Sequence, residues 1–214
     1  MIKCVVFDLD GTTLSTLYDI QRSLNIVLKN HGIAPAEYEE VRLSLGKGSR
    51  NLVKYHLPKG TSDPIIDEVT NEYLNIYKDN YDILTTPYEG IYDLLIELQN
   101  RGIKLAVNSN KPDTLCKNLI KKHFPKIDFK IVIGSREGIP YKPDPYSLNE
   151  IIKTLNLKKE EVLYVGDSES DVLTAKNANV KIVGCLWGFR DLKTLTDSGA
   201  DYIVCKPSEI LNYI

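Results

Sequence analysis

The chain has 214 residues, enough for one substantial hydrophobic core and a smaller second unit. Its 27 lysines and arginines nearly balance 29 aspartates and glutamates, so no net field draws it to nucleic acid or to an anionic membrane surface, and the expected partner is a small molecule. No apolar run approaches the roughly 20 residues that span a bilayer. Cys4, Cys116, Cys185 and Cys205 lie far apart, with no C-x-x-C pair and no secretory leader ahead of them, and read as buried thiols of a soluble, cytoplasmic protein. Oligomeric state leaves no mark in the sequence.

The chain opens on "CVVFDLDGTT" (4–13). Val5, Val6 and Phe7 are branched or aromatic and predict a strand buried on both faces, with Asp8 and Asp10 at its carboxyl end. Residues 15–86 contain two helical patterns, 17–32 and 62–81, and nothing that reads as a buried strand. From residue 87 the pattern changes. Apolar runs at 103–109, 129–134, 161–167, 181–187 and 201–205 alternate with amphipathic stretches. In the first of these, Ile91, Leu94, Leu95 and Leu98 recur at i, i+3, i+4, i+7 before Gly102. In another, Leu148, Ile151, Ile152 and Leu155 repeat that spacing, with Pro145 suited to the first turn. Alternating strands and helices predict an α/β fold, a parallel sheet covered by helices on both faces. The helical insertion interrupts its first strand-helix unit, so both ends of the insertion lie above Asp8 and Asp10.

Ligands of such sheets bind at the carboxyl ends of the strands, where the chain order reverses. Strand one brings Asp8 and Asp10 there, the strand at 103–109 brings Asn108, Ser109 and Asn110, and the strand at 161–167 brings Gly166, Asp167, Ser168 and then Asp171. The segment "GIPYKPDP" (138–145) adds Lys142. Each residue alone reads as a turn or a helix cap, but four polar segments, three of them strand ends, converging on one rim read as a shared site. A calcium loop starting at Asp8 is excluded, because its fifth and sixth places are Thr12 and Thr13 and its twelfth is Asp19 rather than Glu.

Asp8, Asp10 and Asp167 gather negative charge, and each close pair at about 4 Å costs about 4 kcal/mol at a surface-like dielectric. Oxygen-only ligands without His or Cys suit Mg²⁺, which keeps waters and binds one or two carboxylates plus a substrate phosphate. Lys142 is the second neutralising charge. Ser109 can donate its hydroxyl to a phosphate oxygen, and backbone N–H groups of the Asp10–Gly11–Thr12 turn and near Asn110 can add donors. Asp8 is then the expected nucleophile, forming an aspartyl phosphate, and Asp10 the acid and base.

These motifs resemble those of haloacid dehalogenase superfamily phosphatases, close to the phosphoglycolate phosphatase group. "DLDGTT" is similar to the nucleophile motif, "VNSNKPD" to the phosphate-binding motif, "YKPDP" to the lysine motif and "VGDSESDVLTAKNA" to the acidic metal motif. "LWGFRD" and "GADYIVCKPSEI" look like that group's tail, so the resemblance covers essentially the whole chain. It implies a Rossmann-like three-layer core over 1–14 and 87–214 with an α-helical cap over 15–86. It also implies Mg²⁺ held by Asp8, the Asp10 carbonyl and Asp167, with Asp171 and Ser168 supporting from behind.

The span "DGTTLST" departs from the family's D-G-T-L-x-D-S, with Thr13 for an apolar residue and Ser15 for an acid. Ser15 can still cap the first insertion helix. True dehalogenases lack the second acid, so Asp10 argues against dehalogenation. In the insertion, "LGKGSRN" (45–51) predicts a helix start where Lys47 or Arg50 could meet a substrate carboxylate. His31, His56 and His123 are isolated and read as packing or capping residues, and Trp187 as packing. A phosphosugar mutase resembling β-phosphoglucomutase would use the same carboxylates and return the phosphoryl group to sugar. A receiver-type signalling module also phosphorylates a strand-end Asp, but lacks a helical lid.

Overall fold

The computed structural model describes residues 1–214. In chain order the elements are β1 (Cys4–Phe7), β2 (Leu14–Ser15), α1 (Leu17–Asn30), α2 (Tyr38–Ser44), α3 (Ser49–His56), α4 (Asp63–Asn80), β3 (Thr86–Pro87), α5 (Ile91–Asn100), β4 (Lys104–Pro112), α6 (Asp113–His123), β5 (Phe129–Ser135), α7 (Tyr146–Thr154), β6 (Val162–Gly166), α8 (Glu169–Ala178), β7 (Lys181–Cys185), α9 (Leu192–Ser198) and β8 (Tyr202–Val204). Six strands form one sheet in the order β5-β4-β1-β6-β7-β8, every pairing parallel. β1, expected to be buried on both faces, lies between β4 and β6, and the chain order reverses around it.

Alternate side chains of β1 enter different cores, which is why the run is apolar without interruption. Val5 and Phe7 pack with Leu94, Leu95 and Leu98 of α5 and Leu119 of α6. Cys4 and Val6 face Leu148 and Ile151 of α7, Val172 and Ala175 of α8 and Leu195 of α9. Cys4, Cys116 and Cys185 are buried as expected, whereas Cys205 is exposed. No helix is long and apolar enough to cross a membrane.

The insertion has its own apolar cluster, with Leu17, Leu24 and Leu28 of α1 against Ile66, Val69, Tyr73 and Tyr77 of α4, reaching to Leu115 and Phe189 of the sheet-bearing part. Beyond the two expected helical patterns it contains α3, which starts at Ser49 within the segment expected to begin a helix, and the short α2, which gives too few turns for a clear periodicity. Both crossings run together as a short antiparallel ladder, Leu14 opposite Pro87 and Ser15 opposite Thr86. Ser15 is therefore in a strand rather than capping α1. Thr16 takes the cap position without a side-chain bond. Pro145 likewise falls just ahead of α7 rather than in its first turn.

The return crossing is held by Asp19, a fully buried carboxylate on α1. It accepts hydrogen bonds from the N–H groups of Ile83 (3.0 Å), Leu84 (2.9 Å) and Thr85 (2.8 Å) and from the Thr85 hydroxyl (2.8 Å). Four donors on one carboxylate explain how a charge survives there. Asp19→Ala is expected to cost about 3 kcal/mol in urea unfolding, because removing the acceptor strands buried donors. An unchanged midpoint would show that this crossing contributes nothing to stability.

Candidate active site

The carboxyl ends of β1, β4 and β6 meet beneath the insertion around a cavity of about 60 Å³. Asp8, Asp10, Ser109, Asn110, Lys142, Asp167 and Ser168 all line it, as do Ile20, Leu45, Leu52, Tyr73 and Tyr77 from the insertion. The strand register explains why three consecutive β4 residues reach one cavity. Pairing of β4 with β5 shifts between Asn108 and Pro112, and such an irregularity turns Ser109, Asn110 and Lys111 out of strict alternation.

Asp8, Asp167 and Asp171 form the acidic centre, with one carboxylate oxygen from each within 4.8 Å of the others. Lys142 spans two of them, its Nζ 2.9 Å from Asp8 Oδ1 and 2.6 Å from Asp171 Oδ1. It also donates to the Asn108 carbonyl at 3.2 Å. Burial works against its charge, but Asp171 and Asp8 hold it well above the ordinary lysine range. The Asp8 contact is close but poorly directed, leaving the buried Oδ1 without a hydrogen bond. Burial, then the Asp171 charge, push the Asp8 carboxyl up to about 7 against the pull of Lys142. The Asp167 carboxyl is also raised, by burial first and then by Asp171 and Asp8. One lysine thus faces three buried carboxylates, and the excess negative charge on hard oxygen donors fits a small divalent cation. Asp8 and Asp167 have oxygens to offer it.

Asp171 is spent on support. Its oxygens accept from Lys142, from the N–H groups of Ser168 (3.0 Å) and Asp167 (3.2 Å) and from the Ser168 hydroxyl (2.6 Å). Asp167 is set by the Thr12 hydroxyl at 2.7 Å and the Phe189 N–H at 2.8 Å. Glycines make room for it. A Cβ on Gly11, whose φ is +86°, would lie 2.4 Å from Asp167 Oδ2, and one on Gly188 would lie 2.3 Å from the Asp167 Cβ.

Several expected substrate contacts go elsewhere. Thr12 faces Asp167, and the Gly11 N–H donates to the Leu14 carbonyl at 2.9 Å, so neither lines the cavity. The N–H groups of Leu9 and Asp10 have no acceptor within the chain, and Ser109 keeps its hydroxyl proton free. The Asn110 amide ties segments together, donating to the Gly46 and Lys142 carbonyls (3.0 and 3.2 Å) and accepting from the Lys142 N–H (2.8 Å). Arg50 turns outward to Asp63 (2.7 Å) and Asp67 (2.6 Å) and does not line the cavity. Spacing placed it at the start of α3, but rotation about the helix decides its direction. Arg50→Ala is expected to leave kcat/KM within about twofold of wild type, as for exposed pairs generally. A loss of tenfold or more on every substrate would restore the contact.

Other residues carry roles that the sequence left open. Arg190 is buried in the loop after β7. Its guanidinium pairs with Glu169 and donates to the carbonyls of Arg42 (2.9 Å), Leu43 (3.2 Å) and Leu45 (2.8 Å). Arg42 donates back to the Phe189 carbonyl. This exchange caps the C-terminal end of α2 and pins Leu45 and Gly46 over the cavity. The motif "LWGFRD" contained the arginine, but no spacing rule pairs it with residues some 145 positions earlier. The three histidines pair with Glu72, Ser44 and Asp82, away from the cavity. Trp187 packs at the core edge and donates to the Thr12 carbonyl at 2.9 Å.

The sequence profile of the family described as haloacid dehalogenase-like hydrolase matches residues 5–185. The phosphoglycolate phosphatase of Pseudomonas fluorescens strain Pf0-1 is 32% identical, over 94% of this chain and 76% of its own length. The N-acetylmuramic acid 6-phosphate phosphatase of Pseudomonas aeruginosa is 26% identical over 100% of this chain and 95% of its own. A solved structure from Lactobacillus delbrueckii subsp. bulgaricus, provisionally named a phosphoglycolate phosphatase, superposes with a TM-score of 0.91 at 30% identity, covering 99% of this chain and 98% of that one.

Proposed function

The chain belongs to the haloacid dehalogenase-like hydrolase family, and from that premise we propose that it is a Mg²⁺-dependent phosphomonoester hydrolase working through an aspartyl phosphate. One observation carries this: Asp8, Asp167 and Asp171 are buried together with a single lysine among them, beside a small cavity. Asp8 is the nucleophile, since its carboxylate lines the cavity at the end of β1 with Lys142 beside its Oδ1. Its oxygen attacks phosphorus, the ester P–O bond breaks, and Asp10 gives its proton to the leaving oxygen. In the second step Asp10 takes a proton from water as the water oxygen displaces Asp8 from phosphorus. Ser109 and the N–H groups of Leu9 and Asp10 bind phosphate oxygens, and Lys142 offsets charge on the nucleophile side. Mg²⁺, held by Asp8, the Asp10 carbonyl and Asp167, would supply charge neutralisation on the transferring phosphoryl group.

Phosphoglycolate leads as substrate, on the names of relatives near 30% identity and on the small size of the cavity. The test is Mg²⁺-dependent phosphate release from phosphoglycolate, N-acetylmuramic acid 6-phosphate, pyrophosphate and β-glucose 1-phosphate. Preference for phosphoglycolate is expected. Isomerised sugar phosphate without phosphate release would turn the assignment to a mutase.

A further inference from the structure

A second buried lysine stands in the cavity with no part in the chemistry above. The Lys111 side chain is 2% exposed, and its Nζ lies 2.8 Å from Asp10 Oδ1. Nζ also donates to the hydroxyl of Tyr77 and sits 4.8 Å from the centre of that ring. Tyr77 belongs to α4 of the insertion, fully buried and stacked on Tyr73 at 5.4 Å. Asp10 and Lys111 come from the sheet. Burying an ammonium is costly unless its partners are well placed, so the contact is a specific joint between the two parts of the molecule.

We infer that Lys111, held by Tyr77 of the insertion, is a positioning residue that sets the Asp10 carboxylate for proton transfer, so that the acid-base group is assembled only with the insertion docked over the site. The inference rests on the hydrolase reading above. Lys111 engages Oδ1 alone, and Oδ2 accepts no hydrogen bond, which leaves it as the oxygen that carries the proton. With the insertion withdrawn, Lys111 loses its second partner and the carboxylate loses its fixed orientation. Orientation matters because a general acid acts only within hydrogen-bond reach of the leaving oxygen. Lys142 cannot substitute, since it is committed to Asp8 and Asp171.

The test compares an alkyl monoester, whose leaving oxygen needs a proton, with p-nitrophenyl phosphate, whose phenolate leaves without one. Phosphoglycolate serves as the first. In Lys111→Met, kcat/KM for phosphoglycolate should fall about 10²-fold, while kcat/KM for p-nitrophenyl phosphate falls no more than about threefold. Because Asp10 must also activate water, the variant should release p-nitrophenolate in a burst followed by a slow steady state. Tyr77→Phe keeps the ring and removes the hydroxyl, and should show the same selectivity at about tenfold. It carries the test if Lys111→Met does not fold. Equal losses on both esters, or a change confined to KM, would overturn the positioning role in favour of packing or substrate contact. An unaltered Tyr77→Phe would sever the link to docking. If wild type releases phosphate from neither ester, the hydrolase reading itself fails and takes the inference with it.

Discussion

Replacing Asp8 by Asn is expected to lower phosphate release by about four orders of magnitude or more while leaving a protein that, without added metal, is more stable than wild type at neutral pH. The loss follows from removing the attacking oxygen. The gain follows from the electrostatics. The Asp8 carboxyl is pushed up to about 7, by burial first and then by Asp171. A carboxyl that binds its proton more tightly when folded contributes nothing below its unfolded value, about 4, and destabilises the fold progressively as pH rises from there through about 7. Asparagine has no such slope. The difference in Tm between variant and metal-free wild type should therefore widen from about pH 4 to about pH 7 and level off above, at roughly 5 °C. Adding Mg²⁺ should close it by stabilising wild type alone. A variant that keeps turnover removes Asp8 as nucleophile, and a pH-independent difference removes the electrostatic account.

Lys142→Met should be the single change in the site most damaging to stability. Lys142 is the cation between Asp8 and Asp171, and its removal leaves buried carboxylates facing one another without it. Breaking a buried pair in this way costs about 3–5 kcal/mol. Activity should fall by about 10²–10³ or more, as for other preorganised electrostatic groups. The stability loss has a signature. It should shrink as pH falls and the carboxylates take up protons, and shrink again with Mg²⁺ at neutral pH. Denaturant titrations across pH measure this directly. A loss of equal size at every pH would mean that Lys142 acts through packing alone.

Asp19→Ala and Arg50→Ala separate the insertion's anchoring from its contribution to specificity. The first should loosen the crossing, and the second should change little, because Arg50 is tied to Asp63 and Asp67 outside the cavity.

What was legible in the sequence came from short-range pattern and from one topological rule. The unbroken apolar run of β1 marked it as a strand buried on both faces of a parallel sheet, strand-end placement put Asp8, Asp10, Ser109 and Asp167 on one rim, and the segment 138–145 added Lys142. Their residue types dictated the chemistry of oxygen donors around a phosphate. Which side chains actually face the cavity depends on register, rotation and distant partners, none of which a local pattern contains. Thr12 turns to Asp167 because Gly11 and Gly188 let that carboxylate approach, and Asn110 is taken up in bridging Gly46 to Lys142. Arg50 is directed outward by two acids a helix away. Lys111 stood in full view in "VNSNKPD", yet only the irregular register of β4 and the docking of α4 bring it between Asp10 and Tyr77. Periodicity thus determined the sheet, and motifs at the strand ends marked the rim and pointed to phosphate chemistry. Tertiary packing decided the partners of the polar groups, because burial without a partner is costly and those partners lie far apart along the chain.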